Sequence, residues 1–289
     1  MTQTTATQRT RPQPLVGAAR EATSPASPFL TLRGVGLSYG SREVLRNVDL
    51  SVAPGELVSV LGPSGSGKST LLRIAAGLLP PSHGVVDVDG AALRGPRPDV
   101  ALAFQDPCLL PWLTVERNVA FGLTFARQPS ISRDARRLRI DAALAEVGLA
   151  HAHALRPRQL SGGMAQRVAL ARCLARQPRA LLLDEPFGAL DEVTRADMQR
   201  LLVTVVRDTG AATVLVTHDI DEALLVSDRV VLLGNQGRTL AQWTLDMPAP
   251  RETQVQALGA LRIEILEALQ QAMSRDAAAA RLPMRLSCG

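Results

Sequence analysis

Lysine is almost absent from this chain. Of its 32 basic residues only Lys68 is a lysine; all the others are arginine. Aromatic residues make up 3% of the 289 positions, and Tyr39 is the only tyrosine. So few rings exclude nucleic-acid binding by stacking bases on a row of side chains, and no direct nucleic-acid partner is expected. Cysteine occurs three times, at Cys108, Cys173 and Cys288, without a C-x-x-C pair. An odd and widely spaced set excludes a disulfide framework and a zinc site, and reads as reduced thiols. His83, His151, His153 and His218 show no metal-ligand spacing either. No apolar run approaches the roughly 18 residues that span a bilayer. Arg9, Arg11 and Arg20 lead into no apolar segment of the kind a secretory signal carries. Any role at a membrane is therefore expected to go through partner subunits.

Hydrophobic residues account for 46% of the chain, enough for a sizeable core, and 289 residues fit one large domain or one domain with appendages. The net charge of +5 reads as an arginine-rich solvated surface, with anionic neighbours as the other reading. Residues 1–28 are rich in Thr, Gln, Ala, Pro and Ser, bury little and are expected to be a disordered tail. Strand patterns begin at Phe29–Leu32 and Val44–Val52, the latter broken by Pro54-Gly55. The apolar run Leu57–Leu61 ends in a glycine loop, and a helix opens at Ser69. Val85–Val88 and Val100–Phe104 read as further strands. From Pro107 to about Arg176 the pattern turns mostly helical, with breaks at Gly148 and Gly162-Gly163. Ala180–Asp184 has the continuous apolar character of a buried parallel strand, as do Thr213–Thr217 and Arg229–Leu233. A helix is predicted from Asp191 to Arg207, stopped by Thr209-Gly210, and an Ala-rich docked helix over 252–282. Alternating strands and helices imply an α/β fold with a mainly parallel core sheet.

The single lysine lies in Gly62-Pro63-Ser64-Gly65-Ser66-Gly67-Lys68-Ser69, the phosphate-loop pattern G-x-x-x-x-G-K-[ST]. Its glycines let successive backbone N–H groups turn inward around phosphates, and the helix that follows, through Thr70, adds its positive end. A compact ammonium on a thin stem can thread that ring, whereas a planar guanidinium is too wide. Ser69 is placed to hold Mg²⁺ through its hydroxyl. Asp184-Glu185 closes an apolar strand; alone it is an ordinary strand-to-loop junction. With a phosphate loop upstream, Asp184 becomes a Mg²⁺ ligand and Glu185 a group that polarises water. Leu160-Ser161-Gly162-Gly163-Met164 is locally a capped helix start, with Ser161 as the cap and two glycines exposing N–H groups.

Together these motifs resemble the nucleotide-binding subunit of ATP-binding cassette (ABC) transporters. The resemblance runs from about Phe29 to Met247 and includes Gln105, Gly188-Ala189-Leu190-Asp191 and His218, all in the family's order. It implies a P-loop ABC ATPase domain over 29–247. That domain would combine a mainly parallel core sheet, an N-terminal antiparallel β-subdomain and an inserted helical subdomain at about 107–176, followed by a helical extension over 248–289. It implies a head-to-tail homodimer in which each ATP lies between one phosphate loop and the partner's Ser161-Gly162-Gly163. By the same likeness Tyr39 stacks on adenine, although a plain strand-edge aromatic is the other reading. Gln105 contacts Mg²⁺ and the attacking water, Glu185 is the general base, His218 holds the γ-phosphate and Asp191 couples the two sites.

Met164 departs from the family's usual glutamine and cannot donate an amide hydrogen bond. The same methionine is common in the branch importing nitrate, taurine and aliphatic sulfonates. Phe104-Gln105-Asp106, Leu109 to Val115, Asn118 to Gly122 and Pro186 to Asp191 also resemble that branch. The segment Asp106–Asn118 would help receive a membrane subunit. The stretch from Asp246-Met247-Pro248 through Arg251 to Leu261 resembles sulfonate-import ATPases, with taurine and nitrate as rivals. The expected setting is the cytoplasmic face of a bacterial inner membrane. There the chain would be peripheral, beneath two transmembrane permease subunits fed by a periplasmic substrate-binding protein. A soluble non-transport ABC ATPase is the alternative of a different class. Such proteins carry two cassettes or a long coiled coil, and neither is seen here.

Overall fold

The computed structural model describes residues 27–247 and 251–281. The expected tail therefore lies almost wholly outside the described residues, as do Pro248 and Cys288. The chain opens with β1 (Leu30–Tyr39), β2 (Arg42–Val52) and β3 (Leu57–Leu61), which leads into α1 (Lys68–Ala75). β4 (His83–Val88), β5 (Ala91–Ala92) and β6 (Val100–Ala103) follow, then α2 (Val115–Ala120), α3 (Arg133–Glu146) and α4 (Gly162–Leu174). The last part runs β7 (Ala180–Asp184), α5 (Glu192–Thr209), β8 (Ala212–Thr217), α6 (Ile220–Val226), β9 (Arg229–Leu233), β10 (Thr239–Thr244) and α7 (Val255–Arg281).

Two sheets result. The first is antiparallel, in the order β2-β1-β4-β5. The second has the order β10-β9-β3-β8-β7-β6 and is parallel except for the edge strand β10. β3, β7 and β8 are buried along their whole length, which explains their unbroken apolar sequences: both faces of a parallel sheet are covered. In open parallel sheets, ligands gather beyond the carboxyl ends of the strands. The phosphate loop leaves that end of β3, Gln105 follows β6, Glu185 follows β7 and His218 follows β8. The topology thus collects four distant motifs on one edge.

The inserted segment is less helical than its sequence suggests. Residues 107–114 form a loop, because Pro107 and Pro111 interrupt it and a buried side chain supplies its backbone partners. Asn118 is fully buried; its Oδ1 accepts from Leu110 N at 2.8 Å, and its Nδ2 donates to the carbonyls of Leu110, Leu113 and Thr114. Thr114 caps α2 by accepting from Arg117 N. α2, α3 and α4 share one core through Val115, Val119, Ile140, Leu144 and Val168. That core continues under β7 through Leu181 and Leu183, so the insertion and the sheet are packed as one piece.

The expected C-terminal helix is α7, which docks through Leu258, Leu261, Ile265 and Leu269 on a cluster built from α6, β9 and β10. Just before it, the buried Arg251 donates to the carbonyls of Ser227 and Met247 and ties the extension to the end of α6. α6, β5 and β10 have no counterpart in the sequence reading. β5 and α6 are too short to show a period, and β10 carries polar residues on its open side.

Candidate nucleotide site

Gly67 sits at the N-cap of α1 with φ +93°, a backbone state glycine adopts without the Cβ penalty. Through it the phosphate loop turns into the helix and points the unsatisfied N–H groups of the first turn into the loop's mouth. Lys68 is 6% exposed, and its Nζ donates to Gly62 O at 2.7 Å and Pro63 O at 2.9 Å. Burial pushes the ammonium's pKa down, against the pull of Glu185 and Asp184. A buried cation held only by loop carbonyls is a ready partner for a phosphate. Ser66 Oγ, also buried, has no hydrogen-bond partner among the described residues.

Next to it, Ser69 Oγ donates to Asp184 Oδ1 at 3.0 Å. Burial pushes the Asp184 carboxyl up; the Ser69 hydroxyl draws it back and the neighbouring Glu185 raises it further. A hydroxyl and a carboxylate side by side are the hard oxygen donors that Mg²⁺ takes. The residues fit that ion.

The three residues expected to act on the γ-phosphate converge. Gln105 Nε2 donates to Glu185 Oε2 at 3.2 Å, and His218 Nδ1 lies 3.2 Å from the same oxygen. Glu185 has φ +45°, a strained state for a residue with a side chain, costing on the order of 1–3 kcal/mol. Its N–H is fixed by Val216 O at 2.9 Å, so the strain is held by β8. One residue here escaped the sequence reading. Gln166 on α4 is buried, and its Nε2 donates to Gln105 O at 3.1 Å. α4 thus holds the loop carrying Gln105. A polar residue on the inward face of α4 was the available signal.

Ser161 caps α4, its Oγ accepting from Met164 N at 3.3 Å. Gly162 is exposed, but Gly163 is buried: a Cβ there would come within 2.3 Å of Thr194 Cγ2. Only glycine lets α4 approach α5 so closely, so Gly163 serves packing in addition to the N–H role expected of it. Asp191 caps α5, accepting from Thr194 N at 3.1 Å; bonds from Thr194 hold its carboxylate below its ordinary pKa. No hydrogen bond among the described residues joins Ser161, Gly162 or Gly163 to the phosphate loop. Tyr39, last in β1 and opposite Arg42, is 58% exposed.

A glycine loop around one lysine, a hydroxyl–carboxylate pair and a glutamine–glutamate–histidine cluster at the ends of parallel strands define a P-loop ATPase cassette. The chain belongs to the ABC transporter family, whose pattern matches residues 45–188. It is 49% identical to the aliphatic sulfonates import ATP-binding protein SsuB 1 of Xanthomonas axonopodis pv. citri (strain 306), over 84% of this chain and 97% of that protein. The protein of the same description from Rhodococcus jostii (strain RHA1) is 46% identical over 84% of this chain and 94% of its own length. Among solved structures, the dimeric bacterial ABC transporter cassette MJ0796 aligns with TM-score 0.67 and 35% identity, covering 76% of this chain and all of that one. cbiO1 from Clostridium perfringens, part of the transporter complex cbiONQ, aligns with TM-score 0.71 and 28% identity, covering 83% and 95%. MJ0796 is also known as a post-hydrolysis dimer bound to ADP and Pi.

Proposed function

We propose that the chain is the ATP-hydrolysing subunit of an importer for aliphatic sulfonates. The observation that carries the catalytic part is the convergence of Gln105, Glu185 and His218 beside the Lys68 loop. Lys68 and the backbone N–H groups of Gly62 and of Ser64 through Thr70, with Pro63, Ser64, Gly65, Ser66 and Gly67 shaping the turn, bind the β- and γ-phosphates. Tyr39, exposed at the end of β1, offers its ring to adenine. Mg²⁺, held by Ser69, Asp184 and Gln105, would neutralise charge developing on the phosphates. Glu185 orients the attacking water and accepts its proton. Gln105 fixes that carboxylate, and His218 donates to the γ-phosphate. Phosphoryl transfer is mostly positioning and charge stabilisation, and these side chains supply both.

Two copies act together. Among the described residues, Ser161, Gly162, Gly163 and Asp191 have no hydrogen bond to their own phosphate loop, and the related MJ0796 cassette is a dimer. They close over the partner's ATP. Among the described residues no helix is long and apolar enough to cross a membrane, so transport needs permease subunits. Their seat is a groove of about 510 Å³ lined by Phe104, Cys108, Phe121, Phe125 and Arg172. Beside it the Asn118-held loop exposes Trp112. In a chain with 3% aromatics, this surface concentrates most of the exposed rings, as a protein-binding patch does. The chain would lie peripherally on the cytoplasmic face of the inner membrane, with a periplasmic binding protein delivering substrate to the permease.

The sulfonate assignment rests on the relatives, since no residue of this subunit meets the cargo. Deleting the gene tests it. Growth on an alkanesulfonate as sole sulfur source is expected to fail while growth on sulfate continues. Normal growth on alkanesulfonates, with loss of growth on taurine or nitrate, would reassign the cargo.

A further inference from the structure

We propose that Arg195 and Glu222 form a positioning pair that ties the loop bearing Asp191 to the loop bearing His218. The inference rests on the ATPase reading and extends it to two residues outside the nucleotide site.

Glu222 lies in the first turn of α6 and is 6% exposed. Burying a carboxylate costs several kcal/mol unless it is hydrogen-bonded and paired. One of its oxygens, Oε2, accepts from Thr217 Oγ1 at 2.6 Å. The same hydroxyl accepts from Asp219 N at 3.0 Å, and Asp219 in turn caps α6 by accepting from the N–H groups of Asp221 and Glu222. His218 sits between Thr217 and Asp219. Its backbone is therefore gripped on both sides by a network whose anchor is the Glu222 carboxylate.

The other oxygen faces α5. Glu222 Oε1 lies 3.7 Å from Arg195 Nε, an atom that is buried and has no hydrogen-bond partner among the described residues. The guanidinium's Nη2 meanwhile donates to Leu190 O at 2.9 Å. Leu190 immediately precedes Asp191, the residue expected to reach the partner subunit's ATP. A continuous path of polar contacts thus runs from the Asp191 loop through Arg195, Glu222 and Thr217 to His218. The weak link is the 3.7 Å gap between the unpartnered Arg195 Nε and the Glu222 carboxylate. A shift of less than an ångström in α5 or α6 would make that gap a charge-assisted hydrogen bond. A planar fork is required, because one side chain must serve a carbonyl and a carboxylate in different directions. Neither residue touches nucleotide; each acts through the loop it holds.

The test is steady-state ATP hydrolysis by the full chain carrying Arg195→Gln, Glu222→Gln or both, with thermal melting of each variant. Arg195 is one-third exposed, so Arg195→Gln is expected to fold and to melt within about 2 °C of wild type. Each single variant is expected to lose about tenfold in kcat with KM for ATP changed less than about twofold. The double variant should be no slower than the slower single one, because both break the same link. Should Glu222→Gln not fold, Arg195→Gln decides alone by its split between kcat and KM. An unchanged kcat in Arg195→Gln, a loss carried by KM, or losses that multiply in the double variant would each overturn the pairing. Wild-type protein that hydrolyses no ATP would overturn the ATPase reading itself, and the same assay reads that first.

Discussion

At the scale of single residues, Lys68 shows why one position kept lysine in a chain that otherwise uses arginine. Its ammonium is folded onto two carbonyls of its own loop. A guanidinium keeps the charge but not the shape. Lys68→Arg is expected to lower ATP hydrolysis by at least about a hundredfold, as loss of a transition-state donor does; wild-type turnover would show that charge alone suffices. Asp184 gives a prediction of opposite kind. Burial raises its pKa, so its ionised form costs the nucleotide-free fold stability. For a carboxylic acid with a raised pKa, that cost is absent below the unfolded-state pKa and grows with pH until the folded-state pKa is passed. Asp184→Asn is therefore expected to melt higher than wild type at neutral pH without nucleotide, with the difference shrinking on acidification, while Mg²⁺-dependent hydrolysis is lost. Calorimetry across pH, in the presence of a chelator, checks the first part. A lower melting temperature for Asp184→Asn at neutral pH would contradict the burial argument.

At the scale of elements, the parts legible in the sequence were those where one local rule suffices. The phosphate loop, the apolar strands β3, β7 and β8 and the capped starts of α4 and α5 follow from turn chemistry, unbroken hydrophobicity and capping. α1 begins at Lys68 rather than Ser69, a difference inside the usual uncertainty of helix ends. The loop over 107–114 was illegible because its order comes from Asn118, whose role depends on carbonyls brought to it by folding. Gln166, Arg195 and Glu222 were missed for a similar reason: each is polar and meaningful only through a partner distant in sequence. The same loop supplies a test. Trp112 is 65% exposed, so Trp112→Ala should leave the melting temperature and the isolated ATPase rate near wild type yet uncouple transport in vesicles containing the permease. Slower hydrolysis by the isolated subunit together with normal coupling would assign the ring to packing instead.

At the scale of the whole molecule, the residues of the proposed site fall into two sets that no hydrogen bond among the described residues joins. The phosphate loop, Asp184, Glu185, Gln105 and His218 lie at the carboxyl edge of the parallel sheet. Ser161, Gly162 and Asp191 stand at the N-termini of α4 and α5, which Gly163 and Thr194 hold together. In the proposed pair, a two-fold arrangement of two copies would bring each set against the other copy's counterpart, with ATP as the adhesive between them. The most direct measurement is the mass of the Glu185→Gln protein by sedimentation, with and without Mg²⁺ and ATP. The substitution keeps the shape of the site and removes the group that would activate water, so bound ATP should persist. The 30.8 kDa chain is expected to sediment as a monomer without nucleotide and at twice that mass with ATP. Replacing Ser161 with a bulky residue in the same background should abolish the dimer without abolishing nucleotide binding. A protein that binds ATP and remains a monomer at saturating nucleotide would contradict the two-copy site.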